Sequence, residues 1–228
     1  MPTLEAIIDR MANVGNAAET AYAVLREAIV TNALKPGTRL RADDLAGKLG
    51  VSKTPVREAL RKLQAEALII VSTGNVLTVK EITEHELLEI YYTREALEGM
   101  AARLAAENAG TLDLANLRAI VAEIKACRSN LKRMRALTGD FHLLVFCAAR
   151  NDTIYRLLRH LQEQIRQFSG TTLTQPGRAK EAAAYCANLL AAIERRDPDA
   201  AERIARENRR RTLNLRIKML RAAPGNTA

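Results

Sequence analysis

The stretch that most constrains this chain runs from Asp44 to Leu63. Asp44-Leu45-Ala46-Gly47-Lys48-Leu49 leads into Gly50-Val51, and then into Ser52-Lys53-Thr54-Pro55-Val56-Arg57-Glu58-Ala59-Leu60-Arg61-Lys62-Leu63. At helical spacing, Leu45, Ala46 and Leu49 share one face of a first helix, and Val56, Ala59, Leu60 and Leu63 share one face of a second. Two short helices over one small core, joined by a tight turn, make a helix-turn-helix. Ser52 or Thr54 can cap the second helix, and Pro55 is tolerated in its first turn. The opposite face carries Lys53, Thr54, Arg57 and Arg61. Long cations and a short hydroxyl projecting together suit a helix laid in a DNA major groove, where they reach guanine edges and phosphates. A solvated basic face has the same composition, so the charges alone leave both readings open.

The flanks extend the unit. Glu19 to Asn32 is an amphipathic helix with Ala23, Val24, Ala28 and Ile29 inward, ended by Lys35-Pro36-Gly37. Leu68-Ile69-Ile70-Val71 and Val76-Leu77-Thr78-Val79 are β-rich runs around Ser72-Thr73-Gly74-Asn75, a hairpin signal. Thr73 and Asn75 at its tip either touch phosphate or the minor groove, or form an ordinary polar turn. Residues 1–17 are an arm or a short helix, 18–80 the helix-turn-helix unit with its hairpin, and 81–83 a hinge.

From Glu84 onward no strand signal remains. Helices are predicted at about 84–108, 113–130, 132–149, 152–168, 178–195 and 198–221, within a domain of residues 84–222 followed by a tail of 223–228. Leu114, Leu117, Val121, Ile124 and Leu131 recur at the spacing of a bundle core. The expected fold is therefore mainly α. An N-terminal winged helix-turn-helix, three helices plus a short β-hairpin wing, precedes an all-α six-helix bundle.

Composition sets the outer limits. The chain has 228 residues, 48% of them hydrophobic, which excludes wholesale disorder. No apolar run reaches the roughly 18–20 residues of a membrane span, and Glu5 and Asp9 interrupt any secretory signal near the start. The net charge of +9 suits a polyanionic partner, although much of it lies in Arg195-Arg196 and between Arg203 and Arg221. Cys127, Cys147 and Cys186 are scattered, with no CxxC pair, and are read as reduced thiols of a cytoplasmic protein. There is no HExxH, no carboxylate pair around His142 and no spaced Ser/His/Asp set, so an enzyme is not expected.

Leu-Gly-Val-Ser-Lys-Thr-Pro-Val-Arg-Glu-Ala-Leu-Arg-Lys-Leu, residues 49–63, closely resembles the signature of the GntR family of bacterial winged helix-turn-helix regulators. Leu34-Lys35-Pro36-Gly37-Thr38-Arg39-Leu40 matches that family's short strand entry. The resemblance covers about residues 18–82 and implies DNA contacts from Arg39, Lys53, Thr54, Arg57, Arg61, Thr73 and Asn75. Two positions depart: the family usually has Gly where Ala67 stands, and many members have Arg where Asp43 stands. Farther on, Arg94-Glu95-Ala96-Leu97-Glu98, Asp140-Phe141-His142-Leu143-Leu144, Arg150-Asn151-Asp152 and residues 192–201 resemble the FCD-type effector domain of the FadR subfamily. Six helices point to its VanR-like branch. The resemblance implies a homodimeric, ligand-responsive regulator of operator DNA, usually a repressor released by its effector.

Most members of that subfamily hold a divalent metal through an Asp one turn before a His on one helix and two further His residues. Carried over residue by residue, these positions are Thr138, His142, Cys186 and Asn208. Only His142 keeps a family ligand, and Asp140 points off its face. No cofactor is therefore expected, with a soft metal held by His142 and Cys186 as the alternative. The expectation is instead a polar cavity lined by Thr138, His142, Cys186 and Asn208 that binds a small acidic metabolite. Arg94 either pairs with that acid or forms an ion pair with Glu98. The Arg-rich last helix reads as a solvated outer face, with Arg210 and Arg211 close enough to Asn208 to count as pocket candidates. A bundle serving only to dimerise an architectural DNA binder is the remaining alternative.

Overall fold

The computed structural model describes residues 3–11, 15–72, 74–127, 130–168 and 171–222. By contact, the chain divides into two compact units, residues 1–82 with 163–170 and residues 83–162 with 171–228.

The first unit contains α1 (Leu4–Met11), α2 (Ala17–Val30), α3 (Ala42–Leu49), α4 (Lys53–Ala65), β1 (Ile69–Ser72) and β2 (Val76–Val79). The N-terminal arm thus includes a helix, anchored by buried Leu4 and Ile7. Asn16 opens α2 through a capping box with Glu19, which starts the helix earlier than its apolar pattern suggested. Its inward residues are Ala21, Val24, Leu25, Ala28 and Ile29, whereas the expected Ala23 is only half-buried. α3 ends at Gly50, whose φ of +65° is the left-handed conformation that lets the chain turn into α4. Leu45, Ala46, Val56, Ala59, Leu60 and Leu63 are all buried, with Leu49 packed against them. The strands pair antiparallel from Ile69↔Val79 to Ser72↔Val76, and a single bridge joins Arg39 to Thr78. Ala67, just before β1, has a φ of +55°. A Cβ is disfavoured there, which gives a physical reason for the glycine that the family resemblance leads one to expect.

The second unit is built from α5 (Glu84–Asn108), α6 (Thr111–Ala126), α7 (Leu131–Ala148), α8 (Asp152–Phe168, whose end groups with the first unit), α9 (Arg178–Glu194) and α10 (Pro198–Arg221). A short 3-10 turn, Thr172–Thr174, precedes α9. Four boundaries have visible causes. Thr83 and Glu86 form the capping box of α5. Asp113 accepts from the Gly110 N–H at 2.8 Å, so α6 begins two residues before the expected 113. Asn130 accepts from the Arg133 N–H at 3.0 Å and so caps α7, which leaves α6 to stop at Ala126 rather than 130. Asp197 caps α10 with Pro198 in its first turn. α5 and α10 pack along most of their lengths, and Ala101, Ala102 and Ala105 of α5 share one buried core with Ala201 and Ala205 of α10. Gly99 belongs to the same close approach: a Cβ there would lie 2.9 Å from the Arg206 side chain. Among the described residues, no helix is long and apolar enough to cross a membrane.

Candidate DNA interface and effector site

α4 is amphipathic in a useful way. Its apolar stripe is fully used by the core, which leaves Lys53, Thr54, Arg57 and Arg61 exposed together on the other side. Ser52 stands at the N-cap but makes no side-chain capping bond, so the expected cap is absent. The first-turn N–H groups are left to solvent or to an anion such as a DNA phosphate. Lys53 Nζ lies 3.0 Å from the Asp43 carboxylate, both being exposed. Asp43 therefore partly cancels a cation of α4. Arg39 is exposed beside β2, and Asn75 is exposed in the hairpin turn with a φ of +63°. Thr73 lies outside the described residues. The unit's buried core contains no charged side chain among the described residues.

The helical unit treats charge differently. Glu98 of α5 is 2% exposed and accepts from Arg94 Nε at 2.9 Å and from Arg209 of α10. His142 Nδ1 of α7 is 4.0 Å from the same carboxylate. Arg94 and Arg209 flank the Tyr91 ring at 5.5 and 5.9 Å, and the Tyr91 hydroxyl accepts from Arg216 at 3.3 Å. Burial works to raise the Glu98 pKa, but Arg209 and Arg94 outweigh it and hold the carboxyl at about 2. Burial pushes His142 down to about 3 against the pull of Glu98. Its ring stays neutral at pH 7, set between Phe141, Phe146 and Tyr185. Arg94 is thus committed to Glu98. The expectation that it meets an effector acid directly gives way to the ion-pair alternative.

The four positions expected to line one cavity have separate fates. The Thr138 hydroxyl turns onto its own helix, 2.9 Å from the Met134 carbonyl and 3.1 Å from that of Arg135. Cys186 is fully buried in the apolar core, and burial pushes its thiol up to about 12. Asn208 Oδ1 accepts from Arg178 at 2.8 Å. Tyr185 lies beside His142 and Asn208, its ring 5.5 Å from that of His142 and its hydroxyl on the Asn208 side. These residues do not fit a metal. A backbone-bound hydroxyl, a thiol that resists ionisation and an amide committed to Arg178 are poor donors. Among the described residues no group of three or more His, Cys, Asp or Glu could hold an ion.

Sequence reasoning missed Arg178, Tyr185 and Arg209. The last helix is not simply a solvated face: Arg209 is 5% exposed and salt-bridged to Glu98, while Arg206, Arg210, Arg211 and Arg221 pair with Glu202, Glu95, Glu181 and Glu84. A signal was present, since Arg209 lies four residues from both Ala205 and Leu213, and Arg178 four before Ala182, all on apolar stripes. Between α9 and α10 an open groove of about 620 Å³ is lined by Arg178, Glu181, Tyr185, Asn208 and Arg211, among others.

Both halves match known families. Residues 17–79 match the bacterial regulatory proteins of the gntR family, and residues 89–210 match the FCD domain. The chain belongs to the gntR family of bacterial regulatory proteins, in the group that pairs its winged helix-turn-helix with an FCD domain. It is similar to the HTH-type transcriptional regulator McbR of Escherichia coli (strain K12), at 35% identity over 124 residues, 54% of this chain and 56% of McbR. This alignment thus spans little more than half the length of McbR. A regulator in the TAR-I ttuE-ttuC' intergenic region of Agrobacterium vitis is 35% identical over 156 residues, 65% of this chain and 90% of that protein. Among solved structures, E. coli McbR/YncC superposes with a TM-score of 0.66 at 26% identity, covering 90% of this chain and 99% of the other.

Proposed function

We propose that this chain is a sequence-specific repressor, without catalytic activity, whose operator affinity is set by a small acidic metabolite bound in the helical unit. The observation that carries the DNA reading is α4: its apolar stripe is consumed by the core while Lys53, Thr54, Arg57 and Arg61 face solvent together. Arg39 and Asn75, at the hairpin, supply flanking backbone contacts. The protein acts in the bacterial cytoplasm as a homodimer, which lets two heads read paired half-sites. Tyr92 and Met100, exposed two turns apart on α5, are apolar surface that a second copy would cover. The groove between α9 and α10, lined by Tyr185 and Asn208 with His142 packed against Tyr185, receives the effector. Nearly complete switching requires the effector to favour one arrangement by about 5 kcal/mol.

The test is titration of the wild type and Arg57→Ala with a duplex selected from a random library. Arg57→Ala weakens specific binding by about 1–3 kcal/mol without altering thermal unfolding. Unchanged affinity removes Arg57 from the interface, and failure to select any duplex sinks the reading.

A further inference from the structure

The helical unit buries more positive than negative charge. Among the described residues its buried charged side chains are Arg94, Arg178 and Arg209 against Glu98 alone. Removing guanidinium groups from water without an equal number of counter-charges is costly. Arg94 and Arg209 share Glu98, so Arg178 is the least neutralised. Its Nη2 donates to two neutral acceptors, Asn208 Oδ1 at 2.8 Å and Thr212 Oγ1 at 2.9 Å. Its Nη1 reaches a Glu181 oxygen only at 3.5 Å, and its Nε has no acceptor. Glu181 is 42% exposed and lies closer to Arg211, at 3.1 Å. All three line the α9–α10 groove. A carboxylate thus already sits at the edge of the under-neutralised cation, partly in solvent, 3.5 Å from Arg178 and held by two hydrogen bonds from Arg211.

We propose that this groove is a metal-free anion site in which the carboxylate of a small organic acid binds Arg178, and that Glu181 is its built-in competitor, displaced as the ligand enters. The inference deepens the effector reading above and rests on it. The present occupant is itself a carboxylate, so a ligand carboxylate replaces it group for group at Nη1. Displaced Glu181 stays paired with Arg211 or turns to solvent, so entry leaves no buried acid unpaired.

The test is calorimetric titration of the full chain with acetate, succinate and inorganic phosphate, at constant ionic strength and in the presence of EDTA. At least one carboxylate binds. Glu181→Gln, which removes the competing charge at an exposed position, tightens that binding roughly five- to tenfold by raising the binding-competent fraction. Arg178→Gln abolishes it, with thermal unfolding as the check on folding. Should that variant not fold, Arg178→Lys takes its place and weakens binding at least tenfold. Equal or weaker binding by Glu181→Gln, binding of phosphate alone, or no binding by any probe overturns the proposal. Titrating the same preparations with the selected duplex separates the two readings. DNA binding without anion binding sinks only the groove site, and anion binding without DNA binding sinks the regulator.

Discussion

The two units of this chain use arginine in opposite ways. In the first, the cations of α4 stand in solvent over a core with no buried charge among the described residues. In the second, Arg94, Arg178 and Arg209 lie inside the fold, where Glu98 balances only part of their charge. Exposed cations cost the folded state little and carry binding. Buried ones make the fold depend on their partners. The same residue type therefore lies on an exposed helix face in one unit and in a charge-controlled interior in the other.

The largest test of this contrast is Glu98→Ala. It strands Arg94 and Arg209 and destabilises the helical unit by about 3–5 kcal/mol, read from urea unfolding. A loss comparable to that of an exposed acid, such as Glu58→Ala on α4, erases the contrast. Acid supplies the next test. His142 sits at about 3 against an ordinary 6.5, so the unfolded chain takes up that proton first. Stability is full above pH 6.5 and falls as the pH drops, by about 2 kcal/mol at pH 5. Glu98, held at about 2 against 4.5, adds a loss of the same sign below pH 4.5. His142→Phe flattens the limb between pH 7 and 5; an unchanged slope there assigns the acid sensitivity to other groups.

Smaller effects are expected in the first unit. Ala67→Gly relieves a left-handed Cβ and stabilises by about 1 kcal/mol, seen as a higher urea midpoint. Smallest of all, Asp43→Asn frees Lys53 from its exposed ion pair. It tightens DNA binding a few-fold, and a steeper salt dependence, by about one unit of slope, identifies the freed cation as a phosphate contact. An unchanged slope leaves Asp43 a bystander.

Legibility followed the same divide. The core of α4 was readable because Val56, Ala59, Leu60 and Leu63 are spaced by a single helix's geometry and need no distant partner. The ends of α5, α8 and α10 agreed to the residue with their pattern, and α6 did not, because Asp113 and Asn130 redirect backbone hydrogen bonds locally. Thr138 and Cys186 were expected to face one cavity with His142 because they occupy a resembling motif. Their own hydrogen bonding and packing use them elsewhere.

By itself the sequence determined the helix-turn-helix, the hairpin, the six helices that follow and the family they belong to. All of these are periodic or local properties of the chain. Only the tertiary structure decided that Arg209 crosses 111 positions to reach Glu98, that Arg178 of α9 meets Asn208 and Thr212 of α10, and that Arg94 is already paired. A charge at helical spacing has the same pattern whether it faces water or a carboxylate on another helix. Which one it meets depends on how the helices pack, and burial then makes that choice energetically large.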